Sequence, residues 1–107
     1  MKKEDIVKNN YEFNNIIKKG NYKKNNDFVI YYLNNNVGHF RIGISVSKKI
    51  GNAVTRNYYK RIIRNICHIN KNLYSKEKDY IIIMRKGLTT LTFKEANNSF
   101  VDLVKKI

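Results

Sequence analysis

The spacing of apolar residues changes several times along the chain, and each change marks a new element. Phe13, Ile16 and Ile17 recur at i, i+3, i+4, which predicts a helix with one buried face. Its start is expected near Asn9 or Asn10, with Asn9 as N-cap and Glu12 at the third helical position, as in a capping box. Lys18 and Lys19 suit the negative helix end, and Gly20 suits the position just past it. Residues 28–33, FVIYYL, are β-branched, aromatic or aliphatic throughout and read as a strand covered on both faces. Tyr22 is expected on a short strand before it, and 34–38 is a turn.

Residues 41–47, RIGISVS, alternate. Ile42, Ile44 and Val46 face a core; Arg41, Gly43, Ser45 and Ser47 leave a small polar surface open to close approach. A loop at 48–52 with a conformationally free Gly51 leads into a helical pattern over 53–69. A 100° wheel places Val54, Tyr58, Ile62, Ile66 and Ile69 in an apolar stripe, with Tyr59 and Ile63 at its edge. Arg56, Asn57, Lys60, Arg61, Arg64 and His68 fall on the opposite side. Residues 71–78 form a charged connection, and 79–84 read as a buried strand. Thr92-Phe-Lys-Glu95 is a capping box opening a last helix, with Ala96, Phe100, Leu103, Val104 and Ile107 facing inwards. Helix, strands, helix, strand, helix is a mixed α+β arrangement with helices against a small sheet.

At 107 residues the chain is expected to form one domain, 1–107. Twenty-two Lys and Arg against eight Asp and Glu give +14, which calls for a polyanionic partner. A membrane is the weaker choice, because no apolar run approaches about 18 residues and no signal peptide is evident. One cysteine excludes an internal disulfide and a Cys-based zinc cluster, so a reducing compartment is expected. Cys67 reads as a passive helix residue; His39 and His68 read as surface histidines.

Residues 48–65, KKIGNAVTRNYYKRIIRN, contain no acid. Like charges at i, i+4, such as Arg56–Lys60 and Lys60–Arg64, disfavour an isolated helix by roughly 0.2–0.5 kcal/mol per pair. Arginine guanidinium suits phosphate, and Lys48 and Lys49 lie close to the positive helix start. Phe13, Phe28, Tyr31 and Tyr32 are candidates for stacking on unpaired bases, although part of this set must be core.

The run R-x-G-x-S-V-S-K-K-x-G-N-A-V-x-R-N-x-x-K-R-x-x-R, Arg41 to Arg64, resembles the signature of the bacterial-type ribonuclease P protein subunit. E-F-x-x-I-I-K-K-G at 12–20, the FVIYYL strand, K-D-Y-I-I-I-M-R at 78–85 and the T-F-K-E helix start extend the resemblance over nearly the whole chain. It implies a two-layer α–β sandwich resembling a ribosomal protein S5 domain 2-like fold. A small mixed four-stranded sheet would carry three helices and a left-handed βαβ crossover through the basic helix.

The resemblance also implies a role. The protein would be a non-catalytic subunit of a cytoplasmic or organellar ribonucleoprotein that removes the 5′ leader of precursor tRNA. Chemistry and Mg²⁺ would reside mainly on the RNA subunit, with no membrane or DNA partner. Lys48, Lys49, Arg56, Asn57, Lys60, Arg61 and Arg64 match positions that bind the catalytic RNA. Phe13, Ile17, Val29 and Tyr31 match positions lining the leader cleft, and Ser45 is placed in the same cleft. The chain has Arg56-Asn57-Tyr58 where the family commonly has Arg-Asn-Arg, and the wheel turns Tyr58 towards the core. A structural RNA-binding protein is the alternative reading. A protein-only nuclease finds no paired carboxylates or Ser/His/Asp set in the sequence. A duplex-DNA regulator lacks a second helix placed for helix-turn-helix binding.

Overall fold

The computed structural model describes residues 2–107. After a short 3-10 turn, α1 (Asn10–Lys19) leads into β1 (Asn21–Lys24), β2 (Phe28–Asn34) and β3 (Arg41–Ser45). Then follow α2 (Ala53–Ile69), β4 (Lys78–Met84) and α3 (Phe93–Val104). The sheet order is β1-β2-β4-β3. β4 enters between β2 and β3, antiparallel to the former and parallel to the latter. The sheet is therefore mixed, and α2 forms the crossover between two parallel neighbours, as a parallel pair requires.

Strand alternation sorts side chains onto two faces. Phe28 and Ile30 from β2, Ile42 from β3, and Tyr80, Ile82 and Met84 from β4 face α2 and α3. There they join Ile63, Ile66 and Cys67 from α2 with Ala96, Phe100, Leu103 and Val104 from α3. Full burial of each large apolar side chain contributes about 1.5–3 kcal/mol, so this layer dominates stability. Phe28 and Phe100 meet edge to face, with centroids 5.5 Å apart. The opposite face carries a smaller cluster, where Val7, Ile16 and Ile81 are buried among Phe13, Ile17, Tyr31, Leu33 and Ile83. The strand at 28–33 is thus covered on both faces, unequally.

The helix caps follow their residues. Asn9 caps α1 by accepting from Tyr11 N at 2.7 Å. Asn52 caps α2 by accepting from Thr55 N at 3.0 Å. Thr92 and Glu95 form the expected reciprocal box on α3. The backbone amide of Thr92, together with its hydroxyl side chain, holds the Glu95 carboxyl below its ordinary pKa. Glu12 stands at the third position of α1 but binds Arg41 rather than closing a box.

Several local expectations change. The strand at 41–47 ends at Ser45, although Val46 is still buried. Gly20 keeps an extended backbone, φ −79° and ψ 165°, so left-handed freedom is not why glycine stands there. A Cβ at this position would lie 2.5 Å from Ile16 O and 2.6 Å from Tyr32 O, so close approach excludes a side chain. Gly51 has no positive φ; Gly38, in the turn after β2, is the glycine that does, at 83°.

The largest correction concerns α2. Ile63, Ile66 and Cys67 are buried, with Tyr59 and Ile62 packed beside them. Val54, Tyr58 and Ile69 are 79%, 55% and 59% exposed. The inward arc is turned by about one residue step, ~100°, from the apolar stripe on the wheel. The stripe included apolar side chains that α2 presents to solvent and omitted Cys67.

Gly20→Ala is expected to destabilise the fold by about 1–3 kcal/mol, the usual cost of overpacking where backbone must yield. A shift in urea midpoint with an unchanged slope would report it; an unchanged midpoint would show that the α1–β2 contact can open freely.

Candidate nucleic-acid interface

The cations of α2 lie on the flank towards the β3 edge and on the outward side. Arg56 and Lys60 are half-buried; Asn57, Arg61 and Arg64 are exposed. Lys60 and Arg64 line a depression of about 230 Å³ whose floor is Ile6, Val7, Ile42 and Ile44. Lys48 and Lys49 are exposed in the turn preceding α2, on the approach to its N-terminus. The Arg56 Nε is sealed from solvent without a hydrogen-bond acceptor. Among the described residues, none of these cations forms an ion pair.

The acids that have partners are engaged elsewhere. Asp79 is 3% exposed, and Arg41 grips it with Nε at 2.8 Å and Nη2 at 2.7 Å. The third arm of this arginine, Nη1, reaches Glu12 Oε2 at 2.6 Å. Asn35 also donates to Asp79, at 2.7 Å. Hydrogen bonding to Asp79 is the main cause that raises the Arg41 pKa above its ordinary value. Asp27 accepts from Ser99, and Asp5 faces His39 at 3.0 Å. Arg41 was expected only as part of a polar surface; it joins β3, β4 and α1. The repeated pairing of one buried acid with one strand arginine left no periodic signal in the sequence.

The register places the other candidate residues. Tyr22, Tyr31, Ile81 and Gly43 run across the sheet in one row on the α1 face. Lys24, Val29, Ile83 and Ser45 form the next row. Ile81 and Gly43 are buried under α1, and Phe13 is so close that a Cβ on Gly43 would lie 2.9 Å from its ring. Val29, Ile83 and Ser45 remain half-buried. The result is a shallow trough with Phe13, Ile17 and Tyr31 beside a floor of Val29, Ile83 and Ser45. Tyr31 is supported from outside by Tyr22, with centroids 5.4 Å apart. All five residues placed in the cleft therefore belong to one face. Phe28 and Tyr32, also considered for stacking, face the main core instead.

The remaining reactive groups are structural. Cys67 is fully buried, and burial pushes its thiol up to about 12. Tyr74 donates to the Cys67 carbonyl at 2.9 Å. Among the described residues, no three His, Cys, Asp or Glu side chains gather into a metal-binding group. No described helix is long and apolar enough to cross a membrane.

Three helices on a four-stranded mixed sheet, with a cationic flank and a separate trough, define a small basic α+β protein. A family profile described as Ribonuclease P matches residues 1–107, and the chain belongs to that family. It is 47% identical over 107 residues to the ribonuclease P protein component of Bacillus pumilus, covering 99% of this chain and 90% of that one. The Streptococcus pneumoniae protein component is 44% identical over 105 residues, covering 98% and 85%. The Staphylococcus aureus RNase P protein structure superposes with a TM-score of 0.86 at 42% identity, covering 95% and 94%. The Thermotoga maritima RNase P protein gives 0.83 at 33%, covering 90% and 91%.

Arg41→Ala is expected to cost about 3–5 kcal/mol, because it leaves the Asp79 carboxylate buried with only a neutral donor. Glu12→Ala removes the more exposed partner and is expected to cost no more than about 1 kcal/mol. Urea unfolding of both variants separates them; equal losses would deny Asp79 its central place.

Proposed function

We propose that this chain is the protein subunit of a ribonucleoprotein ribonuclease P. The cationic flank of α2, with Lys48 and Lys49, binds the catalytic RNA. The trough of Phe13, Ile17, Val29, Tyr31 and Ser45 holds the 5′ leader of precursor tRNA. The RNA subunit carries out Mg²⁺-dependent cleavage, and Mg²⁺ is assigned to that RNA. The protein contributes affinity and placement rather than reacting groups.

One observation carries this reading. Among the described residues the cations of α2 have no acidic partner, while Asp5, Glu12, Asp27, Asp79 and Glu95 are all engaged within the fold. Segregated positive charge of this kind suits a phosphate backbone, where each neutralised phosphate releases counterions. The trough lies on the other face of the sheet and offers half-buried aromatic rings, which suit a single strand. Two faces of different chemistry fit two RNA partners.

The decisive experiment is precursor-tRNA cleavage at low Mg²⁺ with a bacterial-type ribonuclease P RNA, with and without the chain. Mature 5′ ends are expected only when both are present. Cleavage by the chain alone would move chemistry onto the protein, and binding without stimulation would leave a structural RNA-binding protein. Changing Arg56, Lys60 and Arg64 together to Ala is expected to flatten the salt dependence of RNA-subunit binding, by roughly one slope unit per lost contact. An unchanged slope would remove this flank from the interface.

Phe13→Ala with Tyr31→Ala is expected to weaken binding of precursor tRNA to the holoenzyme by about 5- to 150-fold per stacked base, leaving mature tRNA unaffected. Equal weakening for both substrates would show that the trough does not select the leader.

A further inference from the structure

Between the first half of α2, the turn at 86–90 and the start of α3 lies a cavity of about 300 Å³ that neither proposed RNA face uses. Its lining includes Tyr58, Tyr59, Ile62, Leu91 and Phe93, and no lining residue is charged. Tyr58 is 55% exposed and Phe93 47% exposed, so two aromatic rings stand at its mouth in contact with water. Tyr58 meets Tyr59 edge to face, with centroids 5.2 Å apart and planes at 74°. Tyr59 packs against the main core, so the Tyr58 ring stands on a fixed support.

Two cations lie close in sequence to the mouth residues. Arg61 is exposed one helical turn beyond Tyr58, and exposed Lys94 follows Phe93. Glu95, the neighbouring carboxylate, is engaged by Thr92 N at 2.9 Å. An apolar, ring-lined mouth with positive charge on its rim complements a flat ring attached to a negative backbone. The volume lies at the lower end of the ~300–1,000 Å³ typical of ligand pockets, which suits one ring system rather than a length of chain. A second copy of this protein is a poor occupant, because each copy carries +14 and would bring the same rim cations face to face.

We propose that this cavity binds one unpaired RNA base, stacked on Tyr58 and bordered by Phe93, with Arg61 meeting the adjoining phosphate. The proposal rests on the RNA-binding reading above and adds to it a site that takes a base rather than the backbone alone. Such a site pins an RNA strand in register on α2, which phosphate contacts alone do loosely.

The test uses the full chain and a bacterial-type ribonuclease P RNA, with affinity measured across a range of salt concentrations. Tyr58→Leu is expected to weaken binding by about 5- to 150-fold, the equivalent of one stacked base, with an unchanged salt slope. Tyr58→Phe is expected to retain wild-type affinity, and Phe93→Leu to weaken binding in the same salt-independent way. Chemical probing should show one unpaired nucleotide protected by the wild type and released by Tyr58→Leu. Unfolding midpoints show whether the variants are folded; loss of binding in folded Leu variants supports the proposal. Wild-type affinity in folded Tyr58→Leu, or a reduced salt slope, would overturn the stacking site alone. Failure of the wild-type chain to bind RNA would overturn the RNA-binding reading and the site with it. Concentration-dependent dimerisation abolished by Tyr58→Leu would assign the cavity to self-association instead.

Discussion

The Asp79 carboxylate is the point on which the architecture turns. It sits in β4, one of the two inner strands, 3% exposed, opposite Arg41 in the parallel register. A buried carboxylate without partners is costly, so its neighbours must supply donors from defined directions. Arg41 supplies two and extends a third to Glu12 on α1; Asn35, just beyond β2, supplies another. One acid therefore ties β3 to β4 in register, draws in the end of β2 and, through Arg41, tethers the start of α1.

The same network explains how the chain manages its charge. Few acids are present, and most are directed inwards or into caps, where each has a geometric task. The excess of lysine and arginine is left to the outside. Along α2 this produces three different flanks: one inward and apolar, one cationic towards the β3 edge, and one bearing Tyr58 beside α3. A single helix thereby offers a core surface, an electrostatic surface and an aromatic one.

The elements were legible in the sequence because each had a local cause. Asn9 and Thr92 cap their helices as read, alternation marks β3, and the unbroken apolar run marks β4; the Asn52 cap of α2 was not read. The bounds of α2, 53–69, followed from its periodicity. The direction it faces did not, because Val54, Tyr58 and Ile69 are apolar yet exposed, and a wheel weights them like core residues. The two candidate sets, Phe13 with its neighbours and the cations of α2, came from resemblance to a family; the fold places the first around α1 and the sheet face beneath it and leaves the second without ion pairs among the described residues. Arg41 escaped notice because its role depends on Asp79, far away in sequence, and only pairing of β3 with β4 makes them neighbours. Gly20, read as suiting the position past α1, and Gly51, read as conformationally free, instead face close neighbours: Ile16 O and Tyr32 O at the first and the Thr55 side chain at the second.

The place of β4 in the sheet has a consequence for how the molecule comes into being. β2 and β3 are neighbours in sequence but not in space, since β4 lies between them. Until residues 78–84 have left the ribosome, β3 has no strand partner and α2 no completed platform beneath it. The helix with the densest positive charge is thus synthesised before the strand that seats it. Order of emergence, as much as final geometry, sets the moment at which this surface becomes a single object that a polyanion can grasp.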